Sequence, residues 1–341
     1  MFKKILTLSM VFLLFGGIWY FTKKEDASTK IVVQGSTMGT TYTVTYFDEQ
    51  GMNYKPQLDS ILLKINEGVN TYDPGSEISR FNQHSRGVSY DSPHLYELLR
   101  DSEKLYHISQ GLFDPSVMPL LSAWGFDAGQ KLEMNDQKKD SIRQLIGFEQ
   151  IQFTVDSLWK EQAGNALSFG GIAQGYAADV IATFLKQKGI NHMLVEIGGE
   201  GIAQGMNLDK GQPWRIGILD PDSSPDAKKL FATVSLTDQA FTTSGNYFNY
   251  RIVDGIKYGH TMSPEKAEPV QTEILSLSII GEDASVVDGW ATAGMQLSVE
   301  EVIKLLEKEN GLALIIIYSD PKSGDRKTYI SSKLKESVKT I

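Results

Sequence analysis

The sequence predicts an α+β protein with mixed sheets and packed helices: one large domain over residues 31–341, preceded by an N-terminal segment of residues 1–30. Three observations lead there. Runs of β-branched and aromatic residues recur from Ile31 to the C-terminus. Helical stripes lie between them, without the strict strand–helix alternation of a doubly wound sheet. No fixed-period repeat or low-complexity linker interrupts residues 31–341. With 41% hydrophobic and 22% charged residues, the chain has the composition of a folded domain with a sizeable core.

Taken in order, Lys3 and Lys4 precede an uncharged, mainly apolar run from Ile5 to Phe21. This is a secretory pattern without a small-x-small cleavage site, so the run is read as a retained membrane anchor. Seventeen residues stand at the lower limit for a span, and residues 22–30 follow as a tether. "IVVQGSTMGTTYTVTYF" (31–47) reads as two strands around a glycine turn. Leu58, Ile61, Leu62 and Ile65 form a helical stripe. A second helix is expected to start at a Ser92 cap with Pro93 in its first turn, and to stop at Gly111. A short helix is expected over 135–146. In "ALSFGGIAQGYAAD" (166–179) a short apolar run, read as a strand, stops at Gly170 and Gly171 and a helix begins. "HMLVEIGGEGIAQG", "WRIGIL", "FATVSL" and "FNYRIVDGIKYGHTM" read as strands, with a tight hairpin at Asp254-Gly255. "TEILSLSII" is a buried strand and "ASVVDGWATAGMQL" a helix rich in small residues. A further helix follows the capping box Ser298…Glu301, and "LALIIIY" closes the core.

The net charge of −9 argues against general nucleic-acid binding. An anionic ligand would need a local remedy, such as a metal ion or a helix N-terminus. There is no cysteine, which removes disulfides, thiolate metal sites, a cysteine nucleophile and the lipidated residue of a bacterial lipoprotein.

Four segments can carry chemistry, and each also has a plain packing explanation. The glycines at 170, 171 and 175 either relieve crowding or let bare backbone approach an anion. Asp288 and Thr292 are four apart on a predicted helix and share a face. A carboxylate and a hydroxyl there, with nearby carbonyls, can hold Mg²⁺ or simply pack. His260 can accept a hydroxyl proton, orient a ligand or serve structure alone. Phe113-Asp114-Pro115, ahead of Trp124-Gly125, can line a planar-ring pocket or belong to the core.

In order, the chain carries "STMGTTY" (36–42), "NTYDPGSEISRFN" (70–82), "GLFDPSVMPLLSAWGF" (111–126) and "GGIAQGYAADV" (170–180). "EIGGEG" (196–201), "TTSGNYFNY" (242–250), "YGHTMSP" (258–264) and "VVDGWATAG" (286–294) come after them. Over roughly 31–330 this series resembles the ApbE family, the FAD:protein FMN transferases. The resemblance implies an enzyme that takes FAD as substrate and uses Mg²⁺. It would pass the FMN part to a Thr or Ser hydroxyl of an acceptor protein and release AMP. It also implies attachment outside the cytoplasm (on the periplasmic face of the inner membrane in a Gram-negative cell), here through the N-terminal helix. FAD hydrolysis to FMN and AMP, or FAD binding without catalysis, stay open as alternatives.

Residue by residue, the resemblance assigns FAD contacts to Met38, Tyr72, Leu112, Phe113 and Asp114, and nucleotide hydrogen bonds to Ser168 and Gln174. It assigns the metal to Gly171, through its backbone, and to Asp288 and Thr292. His260 would sit by the flavin nucleotide as the candidate proton acceptor, making His260 and Asp288 the catalytic pair. The chain departs from the family at three places. Ser168 stands for the usual Asp, Gln174 for Lys and Ser263 for Asp, which removes two carboxylates and one cation from the pocket.

Overall fold

The structure, a computed structural model, describes residues 28–126, 132–223, 227–245, 250–253 and 256–341. The expected anchor, residues 1–27 of the 1–30 segment, and the Asp254-Gly255 turn lie outside the described residues. Among the described residues no helix is long and apolar enough to cross a membrane.

Eight strands form the main sheet: β1 (Thr29–Thr37), β2 (Thr40–Asp48), β3 (Met193–Ile197), β4 (Glu200–Gln204), β5 (Gln239–Gly245), β6 (Ile274–Gly281), β7 (Ala313–Ser319) and β8 (Arg326–Ile330). They lie side by side in that order, and each neighbouring pair is antiparallel. The helices are therefore insertions into a meander rather than crossovers between parallel strands. The longer α-helices are α1 (Lys55–Val69), α2 (Glu77–Gln83), α3 (Pro93–Ile108), α4 (Met118–Trp124), α5 (Asp136–Arg143), α6 (Ala173–Gln187) and α7 (Ala284–Gly294).

The sheet is covered on both faces. Leu314 and Ile316 of β7 and Ile279 of β6 join the helical core with Leu98, Ile181 and Trp290. Their neighbours Ala313, Ile315 and Ile280 face a second core with Trp214, Ile218 and Val234. That second core is closed by a three-stranded sheet of Trp214–Leu219, Leu230–Leu236 and Val338–Thr340. Burial on both faces explains why "LALIIIY" is apolar without alternation.

The caps form as the sequence requires. Ser92 accepts the N–H of Leu95 at 3.3 Å, and Ser298 and Glu301 complete their capping box. The helix after Ser298 runs as α-helix only over Val299–Val302 and continues as a π-helical stretch over Ile303–Glu309. The 135–146 expectation shortens to α5.

One expectation is corrected. The apolar run before Gly170 is not a strand, because its backbone groups bond to side chains and loops instead of a ladder. Asn82 Nδ2 donates to the carbonyl of Leu167, and Leu167 N–H donates to Asn82 Oδ1, both at 2.8 Å. Ser168 N–H donates to the carbonyl of Pro115 at 2.8 Å.

Candidate active site

Between α6, α7 and the near ends of β4 and β5 lies a cavity of about 510 Å³. Every residue to which the resemblance assigns a role lines it, while Ser263 does not. Met38 arrives on the β1–β2 hairpin, whose two-residue tip has φ of 51° at Met38 and 71° at Gly39. Positive φ at both tip residues is what the twist of a two-residue hairpin demands, and only the glycine takes it without steric cost. Tyr72 stands at the mouth, 69% exposed.

The loop ahead of α4 forms another wall. Phe113 is buried there and packs near Gly289 of α7. Its N–H donates to Ser109 Oγ at 3.0 Å, and Gln296 Nε2 donates to the carbonyl of Leu112. Asp114 is also buried, and its Oδ1 accepts from Ser116 N–H at 2.8 Å and Ser116 Oγ at 2.6 Å. Burial pushes its carboxyl up to about 6 against those hydrogen bonds. Its charge serves loop geometry first.

The 168–175 junction meets α7. Asp288 and Thr292, one turn apart, both face the cavity. Thr292 Oγ1 donates to the carbonyl of Gly171 at 3.4 Å, bringing two oxygen ligand candidates together. A Cβ on Gly171 would stand 2.6 Å from that same hydroxyl. Gly175 is different: a Cβ there would meet the carbonyl oxygen of Ala284 at 2.2 Å, so its absence lets α6 cross α7. Gly170 is exposed and meets only Ser168 Oγ at 3.6 Å. The three glycines thus have three situations.

Asp288 is 5% exposed, and burial raises its carboxyl to about 7 despite a hydrogen bond from Gly175 N–H. Asp179 beside it pushes the same way. Gln174, on the first turn of α6, lies against Gly198. His260 is exposed at the cavity edge, just beyond the strand Ile256–Gly259. Ser263 is absent from the lining; it belongs to the small strand pair Met262–Ser263 and Glu268–Pro269.

The motif "EIGGEG" stands out in the sequence, but no single residue in it does. Gly198 and Gly199, with φ of 71° and 116°, make a two-residue turn between β3 and β4 and deliver Glu200 to the cavity wall. Glu200 is 8% exposed, and its carboxyl is held well above the ordinary range by burial and then by the charge of Asp288. The paired glycines between apolar runs were the available signal. Thr243, Ser244 and Thr261 also line the wall.

Among the described residues no lysine or arginine lines this cavity, although Asp114, Glu200 and Asp288 do. A diphosphate ester entering it needs positive charge from elsewhere. Among the described residues no three His, Asp or Glu side chains form a ready metal cluster. The oxygen set of Gly171 carbonyl, Thr292 hydroxyl and Asp288 carboxylate nevertheless suits a hard cation that keeps part of its water shell. A larger cavity of about 990 Å³, lined by Asp101, Asp179 and Glu282 among others, holds none of the expected site residues. Asp179 there caps α7, accepting from the N–H groups of Ala284 and Ser285 at 2.9 Å each.

Residues 38–316 match the ApbE family. The FAD:protein FMN transferase of Vibrio cholerae is 30% identical over 318 residues, spanning 91% of this chain and 93% of that one. The enzyme of the same name from Escherichia coli K12 is 28% identical over 323 residues, spanning 92% and 90%. Among solved structures, the flavin transferase ApbE from Vibrio cholerae superposes with a TM-score of 0.79 at 28% identity, over 91% of this chain and 99% of that one. The apo flavinyl transferase ApbE of Pseudomonas stutzeri gives 0.77 at 31%, over 91% and 97%.

Proposed function

The chain belongs to the ApbE family, and from that premise we propose that it transfers FMN from FAD to a Thr or Ser hydroxyl of an acceptor protein, with Mg²⁺, releasing AMP. The observation that carries this reading is one cavity that gathers every residue given a role by the resemblance and has no lysine or arginine in its described lining.

The acceptor hydroxyl oxygen bonds to the FMN phosphorus while the bond from that phosphorus to the bridging oxygen breaks. AMP leaves with the bridging oxygen, and the hydroxyl proton passes to His260. Asp288, Thr292 and the Gly171 carbonyl would hold the cation. When bound, the cation neutralises the pyrophosphate and stabilises charge on the leaving phosphate. Met38, Leu112 and Phe113 offer apolar surface to a planar ring, and Tyr72 sits where a ring leaves the cavity for solvent. Ser168 and Gln174 offer neutral hydrogen bonds, so charge compensation rests on the cation more heavily than it would with a lysine at position 174.

The apolar run from Ile5 to Phe21 supports a retained anchor that puts this domain outside the cytoplasm. Intact-mass measurement on the membrane fraction tests that part; a mature N-terminus after Phe21 contradicts it. The activity is tested by incubating the chain with FAD, Mg²⁺ and a candidate acceptor and weighing all products. Acceptor heavier by one FMN, together with AMP, supports transfer. Free FMN and AMP without modified acceptor would mean that water is the acceptor.

A further inference from the structure

We propose that Glu200 is a further ligand of the divalent-cation site, its Oε2 entering the coordination shell beside Asp288. This deepens the proposed Mg²⁺-dependent transfer and rests on it.

Glu200 is a carboxylate more than nine-tenths buried at the wall of the same cavity as Asp288, Thr292 and Gly171. Its Oε2 is fully buried and has no hydrogen-bond partner, and neither has the neighbouring Thr242 Oγ1 on β5. The backbone N–H of Glu200 and the nearby Thr242 hydroxyl favour the charged form of the carboxyl, while Oε2 itself is left without a hydrogen bond. A buried carboxyl oxygen left without a hydrogen bond is unfavourable whether the group is charged or neutral. A residue serving packing alone would be apolar there, or fully bonded.

The position is built rather than incidental. The Gly198-Gly199 turn packs against the Gln174 side chain at the start of α6, which sets the first residue of β4 beside the α6–α7 junction. Glu200 and Asp288 line the same cavity. Among the described residues no lysine or arginine in the lining separates or neutralises them. A divalent cation satisfies both carboxylates at once.

Binding of Mn²⁺ alone to the full chain, without FAD, tests the proposal; free Mn²⁺ is read by electron paramagnetic resonance. Glu200→Gln should weaken Mn²⁺ at least about tenfold with an unchanged melting temperature, and Glu200→Asp should weaken it less. Asp288→Asn serves as the control for the site itself. Glu200→Gln affinity within about twofold of wild type, with Asp288→Asn defective, overturns the Glu200 assignment and leaves the proposed function standing. Wild type that fails to bind Mn²⁺ both with and without FAD overturns the cation reading and this proposal with it. If Glu200→Gln does not fold, infrared difference spectra of wild type on Mg²⁺ addition decide the matter. Two carboxyl groups changing state support the assignment, and one overturns it.

Discussion

Gly175 donates its backbone N–H to Oδ2 of Asp288 across 3.0 Å, tying the first turn of α6 to the middle of α7. A helix start ordinarily offers such donors to an anion. Here one of them is committed to a protein carboxylate, which fixes the orientation of Asp288. The helix start and the proposed cation site therefore share this contact.

The glycines of this junction should separate on substitution. Gly175→Ala forces a Cβ onto the Ala284 carbonyl and should cost stability, by about 1–3 kcal/mol or more as overpacking does. Gly171→Val should leave the melting temperature closer to wild type but weaken FAD and Mg²⁺ binding, since its side chain meets Thr292 Oγ1. Gly170→Ala should be nearly silent in both. Calorimetry of FAD binding beside thermal melts checks all three; unchanged FAD affinity in folded Gly171→Val would make that glycine a packing residue.

Asp288→Asn keeps an oxygen for the Gly175 N–H and removes the charge. Mg²⁺-dependent turnover should fall at least about a hundredfold, roughly 2.7 kcal/mol of transition-state stabilisation. The melting temperature should hold. Turnover within about tenfold of wild type would take Asp288 out of the site.

The pH dependence follows from the same carboxylate. Asp288 keeps its proton up to about 7 in the folded protein but loses it near 3.8 when unfolded. Its contribution to metal-free stability is thus present at low pH and lost as pH rises from about 4 through 7. Asp114 and Asp179, each raised to about 6, act with the same sign. Metal-free melts from about pH 5.5 to 7.5 should show stability falling with pH, and Asp288→Asn should flatten the portion above about 6. Mg²⁺ requires the ionised form, so its affinity should drop by up to about tenfold per pH unit below about 7. Affinity independent of pH between about 5.5 and 7.5 would contradict a cation on Asp288.

Much of this site was legible because its residues sit in contiguous motifs. The i,i+4 spacing of Asp288 and Thr292 needed only a helix, and a small-residue helix was evident from 284–294. The paired glycines announced a close approach, although the sequence did not separate Gly171 from Gly175. That distinction depends on which atom of α7 lies opposite each, a long-range fact. The 166–169 segment misled for a related reason. Asn82, far back in the chain on α2, satisfies the Leu167 backbone and leaves an apolar stretch that pairs with no strand. Glu200 escaped notice because an acidic residue after a glycine turn ordinarily faces water; only the sheet order places it inside.

Gln174 occupies a position where added positive charge should show directly. Gln174→Lys puts a cation on the first turn of α6, in a cavity whose described lining holds carboxylates and no lysine or arginine. FAD binding at low Mg²⁺ should tighten, and the gain should shrink as salt rises because the interaction is screened. A gain independent of both salt and Mg²⁺ would mean that the lysine acts through packing.

The most direct measurement tracks the phosphorus. The chain is incubated with Mg²⁺, an acceptor protein and FAD carrying radioactive phosphorus in the FMN phosphate only. Label should be covalently retained on a Thr or Ser of the acceptor with an equal amount of unlabelled AMP, and both should be lost with Asp288→Asn. Label appearing only in free FMN, or remaining in intact FAD, would contradict this transfer.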